Sequence, residues 1–108
     1  MRKRTKALAI SQKVKAAVFN RDGGKCIVCG RFGSPCAHYI SRAQGGLGIE
    51  ENIVTLCDEC HRRFDQTADR KVYRDMIAAY LRQQYPGWDE KKLIYRKYEV
   101  LEERKNGE

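Results

Sequence analysis

Apolar positions along the chain change period several times, and each change marks an element. Val14, Ala17 and Val18 recur at i, i+3 and i+4, which predicts a helix capped by Ser11 and running to about Asn20. Asp22-Gly23-Gly24 breaks it and leads into the tight turn Lys25-Cys26-Ile27-Val28-Cys29-Gly30. Residues 36–41 read as a short strand, Gln44 to Gly48 as a loop, and Asn52-Ile53-Val54-Thr55-Leu56 as a second, β-branched strand. The two strands pair as an antiparallel hairpin. Cys57 then opens a helix to about Gln66, with Asp58 and Glu59 well placed at its N-terminal dipole. Over 69–84, Val72, Met76, Ala79 and Tyr80 share one face with Ile77 and Leu81 beside them, and Pro86-Gly87 ends this amphipathic helix. Asp89 caps a last helix to about 104 that carries Leu93, Val100 and Leu101. These last two helices suggest an αα-hairpin, packed on the rest of the domain or on a second copy of the chain as a homodimer. Residues 1–10 read as a mobile basic arm.

At 108 residues the chain has room for one core. No apolar run long enough for a signal peptide follows its basic start, and no stretch approaches membrane-spanning length. The expectation is a cytoplasmic protein with no membrane contact, in which thiols stay reduced. The net charge is +8, and its placement matters more than its size. Residues 1–31 hold nine Lys or Arg against the single acid Asp22, so the remainder balances to zero. A basic arm on a neutral body is the footprint of a protein that binds a phosphate backbone, with Lys13 and Lys15 among its candidate contacts.

The cysteines add chemistry. Cys26/Cys29 and Cys57/Cys60 are two Cys-x-x-Cys pairs, separated by 27 residues. In a reduced compartment such pairs favour a closed four-thiolate structural zinc site over two disulfides. Cys36 is left as a free, partly buried thiol. The only two histidines are His38 and His61. His61 turns about 100° away from Cys60 on the helix, out of the metal turn and toward the hairpin. Asp65, at i+4 from His61, shares its face, and such a pair can hold a hard divalent cation such as Mg²⁺ or Mn²⁺. His38 faces this helix from the first strand.

From Asn20-Arg21-Asp22-Gly23-Gly24-Lys25-Cys26, through Ala-His-Tyr-Ile, Gln-Gly-Gly and Glu-Asn-Ile-Val-Thr-Leu-Cys, to Cys60-His61-Arg62-Arg63, the chain resembles the HNH (His-Asn-His, ββα-metal) endonucleases. The resemblance covers residues 20–66. It implies a small α+β zinc domain with a ββα-metal, treble-clef-like core over 11–67, an N-terminal helix, and a C-terminal helical hairpin within an extension over 68–108. It implies a metal-dependent DNA endonuclease, with nicking as the elementary act of one site. His38 would be the general base activating water. Asn52 would brace the hairpin loop, and His61 would ligate the catalytic cation. Arg42, Arg62 and Arg63 are candidates for phosphate contacts. One departure stands out, because family members commonly carry an Asp or His ligand immediately before the base, where this chain has Ala37. Either Asp65 supplies that ligand, or the register shifts to make His38 the ligand and Tyr39 the base. A domain that keeps the fold without catalysis, as a zinc-stabilised nucleic-acid-binding module, is the competing reading.

Overall fold

The computed structural model describes residues 3–96. In chain order it contains α1 (Lys3–Leu8), α2 (Gln12–Asp22), β1 (Ser34–His38), β2 (Ile53–Leu56), α3 (Asp58–Gln66) and α4 (Arg70–Gln84). Short 3₁₀ turns occur at Arg42–Gln44, Glu50–Asn52 and Glu90–Leu93. The result is a small α+β fold in which one antiparallel hairpin and α3 form a ββα unit, with α2 and α4 packed around it. Among the described residues, no helix is long and apolar enough to cross a membrane.

α2 forms where the sequence predicts it. The Ser11 hydroxyl accepts from the Val14 N–H at 3.1 Å, and Gly23, at φ 66°, supplies the left-handed residue that ends the helix. The first strand lies slightly earlier than residues 36–41. Ser34 pairs with Leu56, Ala37 with Val54 and His38 with Ile53, and the register shifts between Ser34 and Ala37. Pro35 falls inside that irregularity, where its missing N–H costs no ladder bond. The strand ends after His38 because the Asn52 side chain captures both backbone groups of Ile40.

Three expectations change. The arm over residues 1–10 is a helix over Lys3–Leu8, and Leu8 is only 2 % exposed. Burying that leucine and bonding the Ala7 carbonyl to the Gly48 N–H at 3.0 Å holds it down. On α4, the buried row is Ile77, Ala78 and Leu81 flanked by half-buried Tyr73 and Tyr80, while Val72 and Met76 are exposed. The Tyr73–Ile77–Leu81 row offers more apolar area than the row through Val72 and Met76, so the helix rotates toward it. The last helix is, over its described part, a single 3₁₀ turn at Glu90–Leu93 rather than the second arm of a helical hairpin. Leu93 is buried and Ile94 bridges Gly46, with Leu47 N–H donating to Leu93 O and Tyr95 N–H to Gly45 O, both at 2.8 Å. Pairing with the hairpin loop thus displaces helix there; the rest of that expected helix lies outside the described residues.

A polar network that charge counting does not foresee joins these parts. Arg21 grips the Asp22 carboxylate with two bonds of 2.7 and 3.1 Å and donates to the carbonyls of Ile53 and Glu50 and to the Tyr85 hydroxyl. It also lies over the rings of Tyr80 and Tyr85. Asp22 in turn accepts from the Thr55 N–H at 2.9 Å and from the Tyr80 hydroxyl. Arg21 is therefore a cross-brace between α2, β2 and α4, not part of a solvated basic arm. Burial opposes ionisation of Asp22, yet Arg21 and Tyr80 outweigh it and hold the carboxyl below the usual range. Asp22→Ala should cost about 3–5 kcal/mol, because it strands a buried guanidinium and an N–H. A carboxyl whose folded value is depressed contributes stability that is present above its unfolded value of about 3.9 and is lost as pH falls through the folded value. Urea midpoints measured across acidic pH should therefore drop less steeply for the variant than for the parent.

Candidate active site and metal centre

Two sites flank α3. The first comprises Cys26, Cys29, Cys57 and Cys60, whose sulfurs all lie within 4.8 Å of one another. Tetrahedral thiolate coordination with metal–sulfur bonds of about 2.3 Å places sulfurs about 3.8 Å apart, so the four fit one ion. The Cys29 and Cys57 sulfurs are already 3.5 Å apart. Backbone N–H groups aim at the sulfurs, from Cys29 to Cys26 Sγ and from Cys60 to Cys57 Sγ. Burial opposes ionisation of Cys26, but the N–H groups of Cys29, Cys57 and Val28 outweigh it and bring that thiol down to about 7. Burial and the neighbouring Cys57 push Cys60 up to about 12. Four sulfurs this close ionise together only around a cation, which is the chemistry of a closed structural site. Cys57 also caps α3, so the metal centre fixes where that helix starts.

The second site lies on the other flank of α3. A cleft of about 370 Å³ is lined by His38, His61, Asp65, Arg42 and Arg70, with Ser41 and Cys36 at its wall. Strand alternation puts His38 on this side and Ala37 and Tyr39 in the core. His61 Nε2 is 3.0 Å from Asp65 Oδ2, so the i, i+4 pair is formed. His38 Nε2 bonds the Leu8 carbonyl at 2.9 Å. Burial lowers His38 below the usual imidazole value, and Arg42 and His61 add to this against the opposing pull of the Leu8 carbonyl and Asp65. Such a ring is neutral, and able to accept a proton, at and somewhat below neutral pH.

Asn52 is fully buried and uses its whole side chain. Its Oδ1 accepts from Ile40 N–H at 2.8 Å, and its Nδ2 donates to the carbonyls of Ile40 at 3.1 Å and Leu47 at 2.8 Å. Its own carbonyl accepts from the Tyr39 N–H. The loop from Tyr39 to Leu47 is thereby closed onto the end of β1, next to His38. Asn52→Ala takes the side-chain partner from both buried backbone groups of Ile40 and from the part-buried Leu47 carbonyl, each buried group costing about 1–3 kcal/mol. A drop of about 3 kcal/mol or more in denaturant stability is the expected result.

Other expected contacts divide. Arg42 lines the cleft, and it shares a neighbouring hollow of about 350 Å³ with Lys15 and His38. Lys13 is exposed and lines neither hollow. Arg62 and Arg63 instead hold Glu59, at 3.1 and 2.9 Å, away from the cleft lining. Arg70, which opens α4, takes a place at the cleft that the sequence reading did not assign; its position just past the α3–α4 turn was the available signal. Tyr39 is 4 % exposed, donates its hydroxyl to Glu90, and packs edge-on against Trp88, so it faces away from the cleft. Among the described residues, only the four cysteines form a group of three or more metal-ligand side chains. His61 and Asp65 are a two-ligand pair.

Residues 26–65 match the family model of the HNH endonucleases. The matched segment, less than half of the chain, runs from the first metal cysteine through both histidines to Asp65, and the four-cysteine centre and the ββα unit are consistent with an HNH endonuclease domain there. The substrate class that goes with such a domain is nucleic acid. Among curated proteins, none matches the chain.

Proposed function

We propose that the chain is a metal-dependent DNA endonuclease that hydrolyses phosphodiester bonds and cuts one strand per site. The observation that carries this reading is the shared cleft: His38, His61, Asp65 and two arginines converge on one side of α3 while the thiolate centre occupies the other. The cysteines are a structural zinc site with no open position for chemistry. Arg42 and Arg70 bind the phosphate by charge-assisted hydrogen bonds. His38 removes a proton from water as its oxygen forms a bond to phosphorus, and the P–O bond to the 3′ oxygen breaks. Asn52 keeps the loop beside His38 in register. His61 and Asp65 are suited to hold Mg²⁺ or Mn²⁺, which would supply Lewis-acid charge at the phosphate. Two protein ligands suffice for such a cation, which keeps waters and takes the remaining oxygens from substrate phosphate.

Ala37 favours a second reading, the zinc-stabilised nucleic-acid-binding module without catalysis. It is fully buried and offers no ligand. Supercoiled plasmid separates the two. Nicking with Mg²⁺ or Mn²⁺ that EDTA abolishes supports the nuclease. Retardation of the plasmid without cleavage under either metal assigns the binding module.

A further inference from the structure

The N-terminal segment lies against His38, which lines the cleft, and its Ala9 lines the neighbouring hollow with Lys15, His38 and Arg42. Leu8 is buried, its carbonyl meets His38 Nε2 at 2.9 Å, and the next carbonyl back, Ala7, accepts from Gly48 N–H at 3.0 Å. Arg4 Nη2 donates to the Arg42 carbonyl at 3.4 Å. The segment is therefore fastened like a strap to the hairpin loop, at Arg42 and Gly48, as well as to the histidine.

The geometry points to residues 3–9 as a positioning element of the active site, in which the Leu8 carbonyl holds His38 by its Nε2–H and leaves Nδ1 as the nitrogen offered to the cleft. This rests on His38 being the general base. A carbonyl oxygen only accepts, so the bond requires the proton on Nε2. A neutral imidazole has one N–H, so its lone pair is then on Nδ1. A ring fixed in both tautomer and orientation presents its basic nitrogen without first searching rotamers, and partners that orient an imidazole at other sites typically change activity by about 10- to 100-fold.

Gly48 is the lever that separates the strap from the rest. Its φ lies outside the left-handed region, so alanine there meets no backbone strain of its own. Space is what forbids it: an added Cβ would lie 2.1 Å from the Ala9 oxygen and 3.0 Å from the Leu8 oxygen. Gly48→Ala must push the strap off the loop.

The test uses the full, zinc-loaded chain with ¹⁵N-labelled histidine. The parent should show a slowly exchanging Nε2–H on His38. Gly48→Ala should lose that protected proton and lower kcat for plasmid nicking by about 10- to 100-fold, with KM unchanged. Leu8→Ala keeps the carbonyl but loosens its anchor, and it should give a smaller loss in the same direction. Zinc content and melting behaviour report whether each variant is folded. Full-rate nicking by Gly48→Ala, or a protected Nε2–H that survives it, overturns the strap alone. A protected proton in a parent chain that never nicks DNA overturns the nuclease reading, and the positioning role with it.

Discussion

Replacing His38 by alanine should slow metal-dependent plasmid nicking by about 10²- to 10⁴-fold, the usual contribution of a general base. Affinity for the plasmid should change little, because the charges proposed to hold phosphate, those of Arg42 and Arg70, stay in the cleft. His38 is suited to the role by its neutral form: burial first, with Arg42 and His61 adding to it, keeps it below the usual imidazole value. The same shift fixes the sign of the pH dependence. Activity should be present at neutral pH and fall only as pH drops through the depressed His38 value, below about 6.5. Gel-based nicking rates with parallel binding measurements test the pair of claims. An alanine variant that nicks at the parent rate removes His38 from the chemistry.

Cys57→Ser should abolish folding rather than merely weaken it. Structural zinc in small domains supplies about 10–16 kcal/mol of apparent binding free energy. A domain of this kind has only about 5–15 kcal/mol of net stability. Cys57 is also where the metal centre meets the site, since it follows β2 and caps α3, from which His61 and Asp65 project. The parent should carry about one tightly held zinc per chain. The variant should lose zinc together with most far-ultraviolet helical signal. A zinc-free variant with full helical content and a cooperative melt would show that the apolar core suffices alone.

What the sequence reveals here follows from the range of the interactions involved. The Cys-x-x-Cys pairs and the His61–Asp65 spacing are local, because a turn or one helical period brings their atoms together, and both are readable from residue order. The brace on Arg21 is not. Its partners run from Asp22 to Tyr85, and in a charge count it is one more basic residue in the arm. α1 is hidden for a similar reason: a six-residue helix has little intrinsic stability, and Gly48 and His38, more than 29 residues away, hold it in place. The described end of the expected last helix gives way to long-range pairing of Ile94 with Gly46. The rotation of α4 was a choice between two adjacent apolar rows, which only packing against the hairpin decides. Glu59, read from the sequence as a dipole partner, also pairs with Arg62 and Arg63, three and four residues further on.

The central claim is a division of labour across α3, in which one ion builds the fold and a different one serves the chemistry. It is tested most directly by stripping weakly bound divalent cations from the zinc-loaded protein and then adding back Mg²⁺ while zinc content, helical signal and plasmid nicking are followed together. Nicking should vanish and return with Mg²⁺ while zinc stays at about one per chain and the helical signal does not move. Nicking that instead tracks the zinc content, or that no added cation restores in a protein still holding its zinc, would contradict it.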